Sequence, residues 1–132
     1  MPDGIDAPAR TDVIERLRAR FGERCSTAAV VREQHGKGEA WHPARAPDGV
    51  VFCRTTDEVA AVVGLCAEHA VPIVPFGAGS SLEGQLCCVE GGISIDLTGM
   101  NRVLEINAED LDCRVEAGVT RKQLNSDLRD LG

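Results

Sequence analysis

Glycine and hydroxyl residues are concentrated in one stretch of the chain, where a short apolar run leads into a loop. The apolar run Ile73–Phe76 is followed by the sequence Gly-Ala-Gly-Ser-Ser at 77–81, and Gly84 comes three residues later. Glycine tolerates positive φ and has no Cβ, so a loop of this composition can turn several backbone N–H groups toward one point. Converging N–H groups suit a phosphate or pyrophosphate. The sequence therefore predicts that this loop binds the phosphates of a nucleotide cofactor.

Two common nucleotide-binding motifs do not fit this loop. A dinucleotide fingerprint needs G-x-G-x-x-G at the start of a helix, whereas the glycines of this chain read G-x-G-x-x-x-x-G and residues 85–88 give no helix start. A Walker loop needs a lysine after its last glycine, and Gln85 stands at that place. A tight glycine turn between two strands, without any ligand, stays open as the alternative.

Longer runs of sequence around the loop resemble a known flavoprotein family. The runs are VPIVPFGAGSSLEG at 71–84 and GGISIDLTGMNRVLEINAEDLDCRVEAGVTRKQL at 91–124, with a weaker similarity in REQHGKGEAWHP at 32–43. They resemble the FAD-linked oxidases of the vanillyl-alcohol oxidase and p-cresol methylhydroxylase (PCMH) type. Within that group they are most similar to cytochrome-type D-lactate dehydrogenases and to the flavin subunit of glycolate oxidase. The resemblance covers about residues 50 to 132.

The resemblance implies a cofactor, FAD, and a set of residues that contact it. In the family, the loop after the strand wraps the FAD pyrophosphate, mostly through backbone N–H groups. Carried over position by position, the cofactor-binding residues are Pro75, Phe76, Gly77, Ala78, Gly79, Ser80 and Ser81. The two serine hydroxyls are expected to add hydrogen bonds to phosphate oxygens.

The implied function is the N-terminal, FAD-pyrophosphate-binding part of a flavin-dependent oxidoreductase that acts on a 2-hydroxy acid of the D-lactate or glycolate type. Proteins of the family continue well past the 132 residues of this chain, to a second FAD segment, a cap domain and the catalytic residues. Consequently no catalytic residue and no metal ligand is predicted in this chain. The alternative is a catalytically inert truncated fragment, or a nucleotide-binding module without turnover.

Departures from the family pattern occur near the loop and after the first predicted strand. Many relatives have histidine where this chain has Gln85, and Cys53 stands where proline is usual. Neither change removes a backbone donor, so pyrophosphate binding is still expected.

The elements around the loop predict an α+β fold, the N-terminal part of a PCMH-type FAD-binding domain. A small parallel βαβ unit is expected from a strand at 50–52, a helix capped by Thr56, and the strand at 73–76. A mixed sheet should follow, with a half-buried strand at 93–97 and a hairpin turning at 107–110. A last helix, with Thr120 and Gln123 as its capping box, should bury three leucines, at positions 124, 128 and 131.

Residues 1–46 are predicted to form an N-terminal helix and an irregular lead-in, and residues 47–132 the truncated FAD-binding PCMH-type domain. The capping-box pair Asp12 and Glu15 places the helix start at Asp12, after a loose segment 1–10, and Gly22 is expected to end this helix after Phe21. From Cys25 to Pro47 glycine and proline break every long element, so His35 and His42 are expected on a surface loop.

Charge and composition narrow the possible partners. A net charge of −7 argues against nucleic acid and anionic membrane surfaces, and no apolar run is long enough for a membrane span. The start of the chain lacks the features of a secretory signal, which predicts a cytoplasmic protein with six reduced cysteines. The expected partners are FAD and, in a full-length relative, a small 2-hydroxy-acid substrate. Sheet strands left without neighbours would favour self-association or a complementing second half.

Overall fold

A computed structural model describes residues 7–131, which form four α-helices and six β-strands. In chain order the elements are α1 (Ala7–Phe21), β1 (Cys25–Ser26), α2 (Ala29–His35), β2 (Gly49–Phe52), α3 (Thr56–Glu68), β3 (Ile73–Phe76), β4 (Ile93–Asp96), β5 (Val103–Asn107), β6 (Asp112–Val115) and α4 (Arg121–Leu128). The predicted α+β class is confirmed.

The main sheet has four strands in the order β1-β2-β4-β3. Strand β4 pairs in parallel with β2 on one side and with β3 on the other, while β1 is antiparallel to β2. The predicted β2-α3-β3 unit exists, but its two strands are not neighbours because β4 lies between them. Strands β5 and β6 form a separate antiparallel pair.

The central position of β4 corrects the prediction of a half-buried strand. All four of its residues are buried, including Ser94 and Asp96, for which alternation predicts exposure to solvent. Ile93 and Ile95 join the apolar core with α1 and α3, and the opposite face of β4 meets α2, whose His35 bonds to Asp96. A strand covered on both faces cannot be recognised from alternation alone.

Helix α1 begins at Ala7, five residues before the predicted start at Asp12. Pro8 does not prevent this, because a proline in the first helical turn removes only an N–H that would be unpaired anyway. Asp12 is therefore not a cap; it pairs with Arg16 one turn later at 2.9 Å. The helix ends at Phe21 as predicted, with Gly22 at φ +58°. Of the segment predicted to be loose, residues 1–6 lie outside the described residues.

The lead-in before residue 47 is more ordered than predicted. It supplies β1 to the sheet, and α2 to its face. From α1 it adds three core side chains, Val13, Leu17 and Phe21. The domain boundary between residues 46 and 47 stays a prediction.

Helix α3 is capped by Thr55 instead of Thr56, since the Thr55 hydroxyl accepts from the Glu58 N–H at 3.2 Å. The Glu58 carboxylate also accepts two bonds from the Arg24 guanidinium, at 2.7 and 2.8 Å, and one from the Arg54 N–H. These bonds, with the Arg24 contribution the larger, lower the pKa of Glu58 to about 2. They tie the start of α3 to the chain before β1.

The predicted hairpin is confirmed between β5 and β6, and Thr120 caps α4 by accepting from the Gln123 N–H. The Gln123 side chain donates to the Asn101 carbonyl, so it does not close the predicted capping box. No residue of α4 is buried, which contradicts the predicted burial of its leucines. Leu124 and Leu128 are only half-buried, and Leu131, which follows the helix, is 53% exposed.

Candidate functional site

The glycine loop leaves the main sheet at the edge where its parallel strands end. Strand β3 ends at Phe76, and β2 and β4 end beside it at Phe52 and Asp96. Open α/β sheets bind ligands outside the carboxyl ends of their strands. The loop therefore lies at the edge of the sheet where a cofactor is expected.

The loop backbone suits an anionic group. Gly79 and Gly84 have φ angles of +69° and +83°, and a Cβ on Gly79 would lie 3.0 Å from Cζ of Phe76. None of the backbone N–H groups of residues 77–81 donates to another residue within the described part of the chain. Such N–H groups are available to phosphate oxygens, so these residues fit a pyrophosphate.

The two loop serines differ in their hydroxyl bonds. The Ser81 hydroxyl donates to the side-chain oxygen of Gln85, whereas the exposed Ser80 hydroxyl has no bond to the rest of residues 7–131. Gln85, which departs from the family pattern, thus orients Ser81. Of the two hydroxyls, that of Ser80 is the one open to a ligand.

A buried histidine–aspartate pair lies at the same edge and was missed by the sequence prediction. His35, expected on a surface loop, is only 6% exposed, and its Nε2 lies 2.8 Å from Oδ2 of Asp96. Its Nδ1 lies 2.8 Å from the carbonyl oxygen of Val31. The two residues are 61 positions apart in the chain, so no short sequence pattern predicts their contact.

Both ring nitrogens of His35 face acceptors, which determines its charge. The Val31 carbonyl can only accept, so Nδ1 carries a proton, and a carboxylate at Nε2 requires a second proton. Burial alone would lower the pKa of His35, but the bonds to Asp96 and Val31 outweigh burial and raise it. Burial would raise the pKa of Asp96, yet bonds from His35 and Thr98 hold it below its ordinary value. At pH values between the lowered pKa of Asp96 and the raised pKa of His35, the pair is an imidazolium bound to a carboxylate.

Two aromatic side chains contact the His35 ring. The ring centroids are 4.3 Å apart for Phe76 and 5.6 Å apart for Phe52, the latter edge to face. Phe52, Asp96 and Phe76 are in register across the three parallel strands. His35 therefore packs on the last row of the sheet, directly before the loop.

Two arginines that follow strands of the main sheet differ in their side-chain partners. Arg102 donates to the Glu116 carboxylate from its backbone N–H and its guanidinium. Arg54 follows β2 at this edge, and its side chain makes no ion pair within residues 7–131. In the same part of the chain, no group of three or more His, Cys, Asp or Glu side chains could hold a metal ion.

A comparison with protein families identifies the cofactor of this domain. The family model described as FAD binding domain matches residues 47–132, which is more than half of the chain and includes the whole loop. The chain belongs to this FAD-binding domain family. Its cofactor is FAD, in agreement with the prediction from the sequence.

Curated relatives of this chain include proteins named as a D-lactate dehydrogenase and as a glycolate oxidase subunit. A Danio rerio protein named probable D-lactate dehydrogenase, mitochondrial, is 44% identical over 94% of this chain and 26% of that protein. Glycolate oxidase subunit GlcD of Bacillus subtilis is 45% identical over 55% of this chain and 16% of that protein. The chain thus spans about a quarter or less of the length of these relatives.

The fold of the family domain is also found in solved structures. The structure of p-cresol methylhydroxylase with substrate bound superposes with a TM-score of 0.76, covering 98% of this chain and 26% of that chain. At 23% identity this likeness concerns the fold, and it confirms the predicted PCMH-type architecture.

Proposed function

We propose that this chain is the FAD-pyrophosphate-binding part of a flavin-dependent oxidoreductase that acts on a 2-hydroxy acid such as D-lactate or glycolate. The observation that carries the proposal is the set of unpaired N–H groups at residues 77–81, at the carboxyl edge of the parallel strands within residues 7–131. The contact run proposed for the pyrophosphate is Pro75, Phe76, Gly77, Ala78, Gly79, Ser80 and Ser81.

In the proposed reaction, FAD and the residues of this chain contribute different functions. FAD supplies the hydride-accepting chemistry, and the protein contributes binding and orientation. The loop N–H groups hold the pyrophosphate, while the positive φ of Gly79 lets the backbone approach it closely. The substrate class is proposed from the names of the D-lactate dehydrogenase and glycolate oxidase relatives.

A noncatalytic role is the second candidate, together with assembly with another chain. Apolar side chains are exposed on the second sheet and beyond α4, among them Leu104 at 51% and Leu131 at 53%. Exposed apolar surface of this kind favours self-association or a complementing second half.

None of the described helices is long and apolar enough to cross a membrane. A cytoplasmic location stays a prediction, and the relatives include proteins named as mitochondrial.

The proposal is tested by titrating the 132-residue chain with FAD and following flavin fluorescence. Gly79→Asp puts a Cβ against Phe76, strains a positive φ and adds a negative charge beside the pyrophosphate. We expect saturable quenching for the unaltered chain and at least about thirtyfold weaker binding for the variant, since an unfavourable backbone and charge each cost about 1–3 kcal/mol.

Gly64→Asp is the matched control, because a Cβ on Gly64 in α3 meets nothing within 4 Å. This variant adds the same charge at an exposed position of α3, outside the loop, and should leave FAD affinity unchanged. Equal affinity for the Gly79 and Gly64 variants would rule out the loop as the pyrophosphate site. No binding by the unaltered chain would favour the noncatalytic fragment.

A further inference from the structure

The buried His35–Asp96 pair lies where the loop begins, yet it has no free donor to offer a ligand. Nδ1 of His35 bonds to the Val31 carbonyl and Nε2 bonds to Asp96. The second carboxylate oxygen of Asp96 accepts from the Thr98 N–H and hydroxyl. Any effect of His35 on the loop must therefore pass through the side chains that its ring contacts.

A short series of contacts leads from His35 to the loop. The His35 ring lies 4.3 Å from the Phe76 ring, measured between centroids. The Phe76 ring in turn lies against Gly79, where a Cβ would come within 3.0 Å of Cζ. The Phe76 ring thus contacts both His35 and the left-handed Gly79.

We propose that His35 is a positioning residue for the FAD loop, fixing the Phe76 ring against Gly79 so that the loop N–H groups keep one orientation. Hydrogen bonds at both nitrogens fix the plane of the imidazole, and a buried pair that loses one partner is strongly destabilised, so the ring rarely leaves its place. A preorganised loop binds more tightly because less ordering is needed on binding. The role in affinity rests on the proposed function, whereas the role in loop order does not.

A histidine that only fills the core would behave differently. Its replacement would lower the free energy of unfolding and leave the loop conformation of the folded chain unchanged. The two roles, positioning of the loop and filling of the core, are therefore separated by measuring loop order and FAD affinity. The comparison is made between a His35 variant and a core variant that loses a similar amount of stability.

The variant that tests the proposal is His35→Gln. Glutamine can still donate to Asp96, so the buried carboxylate keeps a partner, but the ring against Phe76 is lost. We expect backbone order parameters of residues 77–81 in the unliganded chain to fall from about 0.85 toward roughly 0.6 or below. The Kd for FAD should rise about tenfold, because the loop must then be ordered on binding.

Val62→Ala is the matched control, since Val62 is fully buried in the core formed by α1, α3 and β4. It should lower stability while leaving both loop order and Kd unchanged. A His35→Gln chain with the loop order of Val62→Ala would overturn the proposal.

Phe76→Leu tests the same series of contacts one step closer to the loop. If His35 acts through Phe76, the double variant His35→Gln/Phe76→Leu should lose no more loop order than the single variant that loses more. Independent effects of the two substitutions would add. Additive losses would overturn the proposed route. If His35→Gln does not fold, the order of residues 77–81 is measured in the Phe76→Leu variant by itself. Unchanged loop order in that variant would also overturn the proposal.

Failure of the proposed FAD-binding function can be distinguished from failure of the proposed role of His35. If the unaltered chain does not bind FAD, the order parameters of the unliganded loop still show whether His35 positions it.

Discussion

At the level of single residues, a charged pair is buried beneath a loop expected to bind an anion. His35 and Asp96 are both buried, and each satisfies the other with a 2.8 Å bond. Burial opposes both charges, so the pair persists only because its hydrogen bonds outweigh the cost of removing the charges from water. The stability of the chain should therefore respond to the protonation of these two groups.

The expected pH dependence follows from the direction in which folding moves each pKa. The pKa of His35 is raised on folding, so its contribution is complete below the ordinary value of about 6.5 and is lost as pH rises through the raised value. The pKa of Asp96 is lowered, so its contribution is present above about 3.9 and is lost as pH falls through the lowered value. Between these two limits the charged pair contributes fully to the free energy of unfolding.

The measurement is the free energy of unfolding by urea from mildly acidic to mildly alkaline pH, for the unaltered chain and for Asp96→Asn. Asparagine can donate to a neutral His35, so this variant folds without the charge pair. The stability advantage of the unaltered chain should shrink as pH rises. His42→Gln and His69→Gln in both backgrounds remove the other histidines, and a difference that stays constant with pH would show that the pair is not charged.

At the level of elements, the starts of α3 and α4 each carry a cap bond to a single threonine hydroxyl. Helix α3 carries Val62 and Cys66 into the core and begins where the Thr55 hydroxyl accepts from the Glu58 N–H. The neighbouring Thr56, which the capping pattern favoured, is already helical and makes no cap bond. A difference of one residue at a cap thus decides which threonine stabilises the helix.

Replacing each threonine in turn tests this assignment. Thr55→Ala should lower the free energy of unfolding by about 1 kcal/mol, the usual cost of losing a hydroxyl cap. Thr56→Ala, the matched control, should be neutral or slightly stabilising because alanine is the better helix former. Urea unfolding of both variants gives the comparison, and a larger loss for Thr56→Ala would return the cap to the predicted position.

At the level of the whole molecule, the packing is uneven. The main sheet is covered by α1 and α3 on one face and meets α2 on the other, whereas no residue of the β5–β6 hairpin strands or of α4 is fully buried. Leu104 on β5 and Leu131 after α4 are more than half exposed. Surfaces of this kind associate with other apolar surfaces.

We expect the chain to self-associate through this surface. Sedimentation velocity should show a concentration-dependent increase in mass that Leu104→Lys reduces, because a charge must be desolvated in an apolar contact. Val30→Lys on α2, at a site 65% exposed in the unaltered chain, is the control and should leave association unchanged. A single monomeric species at all concentrations would contradict the expectation.

Local patterns were sufficient for much of this fold. Strand β3 and its glycine loop, the Gly22 stop of α1, the β5–β6 hairpin and the Thr120 cap each depend on residues close together in sequence, and all four are predicted from it. The resemblance to FAD-linked oxidases likewise depends on contiguous motifs. These features can be read from the sequence because their physical causes, namely backbone freedom, capping and turn chemistry, act over a few residues.

Tertiary structure alone decided the surroundings of the loop. Alternation predicts Asp96 on a half-exposed strand, and glycine and proline predict His35 in a surface loop, because neither pattern records what packs against it. Insertion of β4 between β2 and β3 buries Asp96, and α2 then brings His35 to it across 61 positions of sequence. Strand order and helix packing arise from burial summed over the whole chain, so a pair formed by them has no signature in either local sequence.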